Sequence, residues 1–366
     1  MAFGISKGKT TPIAIDFGAD SLKMLQVLPG DPTQIIAAKS VLVPEEARQD
    51  AAARVAFYEN AVREALRDLP FRGRRATCAI PAYQMLLHNF TTPRCEQDDL
   101  NGMVNLAMKE RLGLEPARMM TRNFHGCDHQ RGGTPQTDII SLSCPREQVM
   151  QYMQLTGRCK LEVVGMHPEP TATLQALAPE QKADAVTQLV VDLGSATTKV
   201  MICGGVQMLL ARTVHAAGAT RLKSLMRRRG LTLADARRER VALLQGQPVL
   251  AGGGVEAEPA GHAEADLFAE DLLAQTLLDE LRATVRHHRV RHPGLPIQRL
   301  VFCGGESADT RLIEALAGAF GLSHRVAAPL EGMTHEAADC DTLDPLEEGS
   351  AAWTVAAGLT MSDDNL

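Results

Sequence analysis

Two acidic residues occupy the same setting in the two halves of this chain. Asp16 follows Ile13-Ala14-Ile15 and precedes Phe17, Gly18, a small polar turn and Lys23. Asp192 follows Leu189-Val190-Val191 and precedes Leu193, Gly194, Ser195-Ala196-Thr197-Thr198 and Lys199. The spacing from Asp to Gly to Lys is the same in both. An apolar run that ends in Asp and folds back through a glycine-containing turn reads as a β-hairpin whose tip meets a charged ligand. Glycine at a strand end lets backbone N–H groups approach phosphate oxygens with no Cβ in the way. The hydroxyls of Ser195, Thr197 and Thr198 add donors. One carboxylate from each half, Asp16 and Asp192, suits a hydrated Mg²⁺, which keeps most of its waters. A third element, Val301-Phe302-Cys303-Gly304-Gly305-Glu306-Ser307, reads as a strand-to-helix junction. Its two glycines leave room for a flat purine and its sugar beside a helix N-terminus.

These groups need two similar lobes with a cleft between them. In the first half, a third strand is predicted near Ile35–Val43, then a helix over Gln49–Leu69 with Val55, Tyr58, Val62, Ala65 and Leu66 on one side. Pro70 and Gly73 end that helix, and Ala76–Ile80 reads as a strand stopped by Pro81. From there to about Gly165 the pattern is β-α-β-β-α-β, the grammar of a small inserted unit. It comprises a strand at Met85–Phe90, a helix at Gln97–Leu112, strands at 120–125 and 138–143 joined by a polar loop Cys127–Gln136, a helix at Arg146–Gly157 and a strand at Leu161–Gly165. His167-Pro168-Glu169-Pro170 marks the exit, with a short helix over Thr171–Leu177. After the second hairpin come a strand at Val206–Arg212, a helix at Thr220–Arg229 closed by Gly230, and a helix at Leu233–Leu244 with Thr232 as N-cap. Gln245–Ala263 reads as a flexible loop, its Gly252-Gly253-Gly254 lacking the flanks of a phosphate cradle. Glu264–His292 is one long amphipathic helix, followed by helices at Thr310–Phe320 and Ala351–Leu359. The polar tail Met361–Leu366 is expected to be mobile.

At 366 residues, with 45% hydrophobic and 22% charged side chains, the chain can build two packed cores. A formal charge of −6 argues against a nucleic-acid binder, and Arg227-Arg228-Arg229 reads as a solvated helix end. The eight cysteines are scattered singly, without the clustered spacing zinc requires, which fits a reducing compartment. Cys127-Asp128-His129 and the trio His287, His288 and His292 each lack a second ligand pair. Neither a signal peptide nor a membrane-spanning stretch is expected.

Taken together, the three motifs resemble those of the actin-like ATPase superfamily. Asp16–Lys23 looks like its phosphate-1 motif, Asp192–Lys199 its phosphate-2 motif and Val301–Ser307 its adenosine motif. The inserted unit sits where the FtsA and PilM branch carries its distinctive subdomain. The PilM family is the nearer resemblance, through Lys23 and the strand after it, Gly218-Ala219-Thr220 leading into the Leu231–Arg240 region, and Ala356-Ala357-Gly358-Leu359. This implies an α/β fold, actin-like (ribonuclease H-like), of duplicated domains around a central cleft with an inserted small α+β subdomain. Its parts would be a first lobe core (1–77 and 166–186), the insertion (78–165), a second lobe core (187–217 and 296–366) and a helical/β subdomain (218–295). The resemblance also implies ATP and Mg²⁺ in the cleft, held by Asp16, Gly18, Lys23, Asp192, Gly194, Ser195, Thr197, Thr198, Gly218, Gly304, Gly305 and Glu306. It further implies a cytoplasmic adaptor of pilus or secretion machinery, attached to the inner membrane through the short N-terminal segment of a PilN-like partner. Other assembly proteins and self-association belong to the same picture; nucleic acid does not.

The chain departs from the family pattern at four places. Ala19 stands where the family has Ser or Thr, and Asp20 follows it. The Glu and Lys that touch ribose and adenine fall at Arg237 and Arg240, and an Arg cannot accept the ribose hydroxyl protons. Glu306 puts a side chain where backbone should meet the base. Each lost contact costs about 1–3 kcal/mol, so nucleotide binding is expected to be weakened or lost and the chain to be at most a weak ATPase. No catalytic base is identified, although Glu169 and His167 lie near the right place. A sugar-type kinase and an FtsA-like division protein are the alternatives on the same fold. A GspL-type secretion protein is a third, though that family continues into a membrane span.

Overall fold

The computed structural model describes residues 9–94, 97–183, 186–244, 272–335 and 349–364. In the first lobe, β1 (Ile13–Phe17) is paired antiparallel with β2 (Ser21–Leu28) and parallel with β4 (Arg75–Ile80). With β3 (Gln34–Leu42), β8 (Glu162–Pro168) and β14 (Thr334–His335) they form a six-stranded sheet ordered β14-β3-β2-β1-β4-β8. In the second lobe, β9 (Thr187–Leu193) pairs antiparallel with β10 (Thr198–Gly204) and parallel with β12 (Arg299–Cys303). Adding β11 (Gln207–Val214) and β13 (Ser323–Val326) gives the order β11-β10-β9-β12-β13. Five consecutive strands thus match between lobes in order and direction, so the repeated motif is a repeated domain. Both β1 and β9 are buried along their whole length. Strands covered by helices on both faces read as continuous apolar runs, as these do.

On the outer face of the first sheet, α2 (Ala51–Asp68) packs with α4 (Arg146–Arg158). Tyr58 and Val62 of the one share a core with Val149, Tyr152 and Leu155 of the other. Asp50 caps α2 by accepting from the Ala53 N–H at 2.6 Å; α2 is the helix expected over Gln49–Leu69, and the short α1 (Glu45–Gln49) precedes it as an addition. The second lobe is covered by α8 (Leu272–Arg291) and α9 (Thr310–Gly318). The predicted start of α8 at Glu264 and the Gln245–Ala263 loop fall outside the described residues. Beside the cleft, α6 (Gly218–Arg229) and α7 (Leu233–Leu244) pack through Leu222, Leu225 and Ala236, and Gly230 closes α6 with φ 63°.

Between the lobes lie α5 (Glu169–Ala183) and α10 (Thr354–Thr360). Leu174 and Leu177 of α5 join a core with Val190, Met201 and Val301 of the second sheet. Val355 and Ala356 of α10, with Trp353 just before it, join Ala14, Leu25 and Ala79 of the first. Ala172 and Ala176 of α5 belong to that first-lobe core as well, so α5 touches both lobes. The two helices cross where a Cβ on Gly358 would lie 1.7 Å from the Ala172 carbonyl oxygen, so only glycine fits. The short helix expected over Thr171–Leu177 is longer because this crossing buries both sides of α5.

The separate three-stranded sheet consists of β5 (Leu86–Pro93), β6 (Met119–Arg131) and β7 (Thr134–Pro145), ordered β5-β7-β6, with α3 (Gln97–Leu112) against it. It is narrower than residues 78–165: α4 packs into the first-lobe core and β8 pairs with β4, so these two expected members of the insertion serve the lobe itself. The anticipated Cys127–Gln136 loop is also much shorter. The strands continue to Arg131 and Thr134 through a bulge near His125, and only Gly132-Gly133, with φ 59° and 81°, form the turn. This sheet leans on the second lobe. Asn89 donates to the Ala211 carbonyl at 2.8 Å, and Arg291 of α8 donates to Asp138 of β7 at 2.6 Å. Residues 363 and 364 of the tail are docked: the His167 ring lies 3.1 Å from the Asp363 carbonyl oxygen, and Arg75 pairs with Asp364.

Candidate functional site

Both hairpin tips open onto one cleft of about 580 Å³ between the lobes. Its lining includes Asp16, Gly18 and Lys23 from the first lobe and Asp192, Gly194, Ser195, Thr197, Gly304, Gly305 and Glu306 from the second. Antiparallel register sets Asp16 opposite Lys23 and Asp192 opposite Lys199. Both turns close tightly. A Cβ on Gly18 would stand 2.7 Å from the Ser21 carbonyl oxygen, and one on Gly194 would stand 2.6 Å from that of Thr197. Closure of the turn is thus a second reason for these glycines, besides baring the amides.

The charges at the centre come from three elements. Lys199, its side chain 4% exposed, pairs with Glu169 at the start of α5 and with Asp192 at 3.3 Å. Thr173 donates to the same oxygen, Asp192 Oδ2, at 3.3 Å. Burial works against the Lys199 charge, but Asp192 and Glu169 hold its pKa above the ordinary lysine value. Burial raises the Asp192 carboxyl more than Lys199 lowers it. Asp16 is pushed up to about 7 by burial and by Glu169, against the pull of Lys23 and Lys199. Three carboxylates, Asp16, Glu169 and Asp192, thus face two ammonium groups. The donor chemistry fits an added cation. Among the described residues no cluster of His, Cys, Asp or Glu is arranged to ligate a metal directly, so Mg²⁺ would be held through its waters.

At the nucleoside end, Gly304 has φ 86° and a Cβ there would come within 2.5 Å of Asp192 Oδ1. Glu306 does not face an open purine slot. Its carboxylate takes both Arg240 Nη groups, one at 2.7 Å, and sits over the first residue of α6. A Cβ on Gly218 would be 2.0 Å from Glu306 Oε1. Burial raises the Glu306 carboxyl, with Arg240 opposing it. At the phosphate end, Asp20 accepts from Arg237 at 2.5 Å and from Ser195 Oγ at 3.3 Å, and pairs with Arg48 of α1. The departures at Asp20, Arg237, Arg240 and Glu306 are therefore two complementary ion pairs.

Three expected participants stand elsewhere. Thr198 is fully buried and its hydroxyl donates to the Ala216 carbonyl at 2.7 Å, so it offers the cleft no donor. Gly218 lies beneath the Glu306 carboxylate, outside the cleft lining. His167 turns to the tail instead of the cleft. Glu169 does reach the cleft, held there by Lys199 and by the Ala82 N–H at 2.6 Å. Sequence reasoning missed Arg48, Thr173 and the cleft-lining Tyr83; each arrives from an element whose packing no local pattern announces. Lys199 was legible from the repeat, but its pairing with Glu169 was not.

Duplicated five-strand sheets, twin hairpin tips and two helices crossing beneath a cleft define an actin-like fold, here in its PilM-like form. In the structure of the "PilM-PilN type IV pilus biogenesis complex", a chain 18% identical to this one superposes with a TM-score of 0.75, covering 96% of this chain and 97% of that one. The ethanolamine utilization protein EutJ from Carboxydothermus hydrogenoformans follows at 12% identity and a TM-score of 0.52, covering 96% of this chain and 89% of that one. No protein-family model matches the sequence, and no curated protein matches it.

Proposed function

We propose that this chain is an actin-fold adaptor of type IV pilus or related secretion machinery. In this reading it works at the cytoplasmic face of the inner membrane and captures the short N-terminal segment of a PilN-like membrane protein. One observation carries the proposal: the likeness to a chain of the PilM–PilN complex runs end to end in both proteins and includes the inserted subdomain's share of the chain. No helix among the described residues is long and apolar enough to cross a membrane, so attachment would run through a partner. Fluorescence anisotropy with labelled peptides from the cytoplasmic N-termini of candidate membrane partners tests this. Saturable binding to one peptide and not to its scrambled form is expected; no binding to any of them overturns the reading.

The cleft would hold Mg·ATP weakly, through Gly18, Gly194, Gly304, Gly305, Lys23, Ser195 and Thr197, with Mg²⁺ bridged by water to Asp16 and Asp192. Arg237 and Arg240 are committed to carboxylates and Glu306 fills the nucleoside end, so two or more adenosine contacts are missing. At about 1–3 kcal/mol each, that weakens binding by about thirtyfold or more. Isothermal titration with Mg·ATP, repeated on Asp192→Ala, checks it: a weak isotherm abolished by the substitution is expected, and submicromolar affinity would contradict the weakening. Hydrolysis as the main task is disfavoured, because the Glu169 carboxylate is engaged by Lys199 and the Ala82 amide instead of facing a water in the cleft as a base would.

A further inference from the structure

We infer that Asp20 is a built-in anion that fastens the two lobes together across the cleft, so that closure of this protein does not wait for a nucleotide. Asp20 sits at the tip of the β1–β2 hairpin, where that tip meets the β9–β10 hairpin of the other lobe. Ser195 of the facing hairpin donates to its Oδ1 at 3.3 Å, and Arg237 of α7 donates to the same atom at 2.5 Å. Both donors belong to the second lobe. Arg48, which also donates to the Asp20 backbone carbonyl at 3.2 Å, holds the carboxylate from its own side. A phosphate bound between two glycine turns would make the same set of contacts: a hydroxyl from the facing hairpin and cations from either side. The carboxylate is tethered to the chain, so it reaches them without the entropy loss of capturing a free ligand.

The rest of the cleft is consistent with this closed state. Arg240 and Glu306 pair bidentately over Gly218, filling with protein the space that a nucleoside would need. Arg221 pairs with Asp309 on the same side and ties α6 to the turn before α9. The two arginines that cannot serve a ribose or an adenine are the two that neutralise the two extra carboxylates. Helix α7 carries both, three residues apart, on one face. It is therefore clamped from one end of the cleft to the other. The inference is independent of the adaptor reading: peptide capture can fail with the lobes fastened, and the fastening can fail with capture intact.

Hydrogen–deuterium exchange on the full chain tests it through residues 18–22 and 194–197, on opposite lobes. Asp20→Asn weakens the bridge, and Arg237→Gln removes only its charged cross-lobe donor, leaving Arg48 and Ser195 in place should the first variant fold poorly. In each variant, exchange is expected to rise about fivefold or more in both segments together. The double variant should be no worse than the poorer single one, the signature of a shared interaction. Mg·ATP at millimolar concentration, held weakly, should add less than about twofold protection to either segment of the wild-type chain. A rise confined to one of the two segments, or additive effects in the double variant, would overturn the inference. So would protection of both wild-type segments by Mg·ATP as large as the exchange gained on breaking the bridge, which would mean that the lobes stand open until nucleotide arrives.

Discussion

The β1–β2 and β9–β10 hairpins have the same spacing, the same register and the same backbone crowding at their glycines, yet their charges are settled in different ways. In the second, Lys199 is clasped by Asp192 and by Glu169 of α5, a closed internal network. In the first, Lys23 donates to the Ser21 hydroxyl, and the buried Asp16 carboxyl is left pushed up to about 7. The source of the difference is α5, whose first residue, Glu169, delivers its charge to the second hairpin while raising the pKa of Asp16. Duplication of a scaffold thus does not duplicate its electrostatics. In one turn the lysine is bound to two carboxylates, and in the other the carboxylate shares its setting with a lysine that turns to a hydroxyl.

Removing Lys199 tests that asymmetry most severely. Lys199→Met leaves Asp192 and Glu169 buried without their shared cation and is expected to cost about 3–5 kcal/mol in urea unfolding. Lys23→Met should cost clearly less, about 1–2 kcal/mol, because Asp16 can take up a proton instead. Equal losses would erase the distinction between the hairpins. Next in size is a pH effect. A carboxyl whose folded pKa lies near 7 and whose unfolded value lies near 3.8 binds its proton more tightly in the fold. Its contribution to stability is full below the unfolded pKa and is lost as pH rises through the folded one. Asp16→Asn should therefore flatten the fall in stability between about pH 4 and pH 7 and leave the protein more stable at pH 8 by about 1–3 kcal/mol. Thermal melts across that range read it directly. Smallest is Thr173→Val, which removes one hydroxyl donor from Asp192 and should cost about 1 kcal/mol, with no matching site in the first hairpin to repeat the effect.

Much of the architecture could be read from local pattern. The two Asp-to-Lys hairpins and the Cys303–Gly304 junction announce themselves by apolar runs ending in glycine. The bounds of α3 and α7 agree with the sequence reading because turn residues and a cap flank them: Thr232 accepts from the Asp235 N–H and donates to its carboxylate. What escaped was set by distant contacts. Nothing near Arg146–Arg158 says that this helix belongs to the first lobe; that follows from Tyr152 stacking 4.8 Å from Phe17. The β6–β7 ribbon looked like a loop because its polar residues lie on strands that continue beyond the buried part of the sheet. In the site, Asp20 and Arg237 each read separately as a lost ligand contact. They are 217 positions apart, and only the fold shows that each answers the other.

The crossing of α5 and α10 has a mechanical meaning. At Gly358 and Ala172 the two helices meet main chain to main chain, with no side chain between them to compress or slide. Such a contact brings the helix axes as near as they can come and makes the crossing the natural pivot between the lobes, as a pin does in a pair of shears. The sole tryptophan, Trp353, is fully buried one residue before α10 begins, so its emission gives a natural gauge of how far the blades have turned.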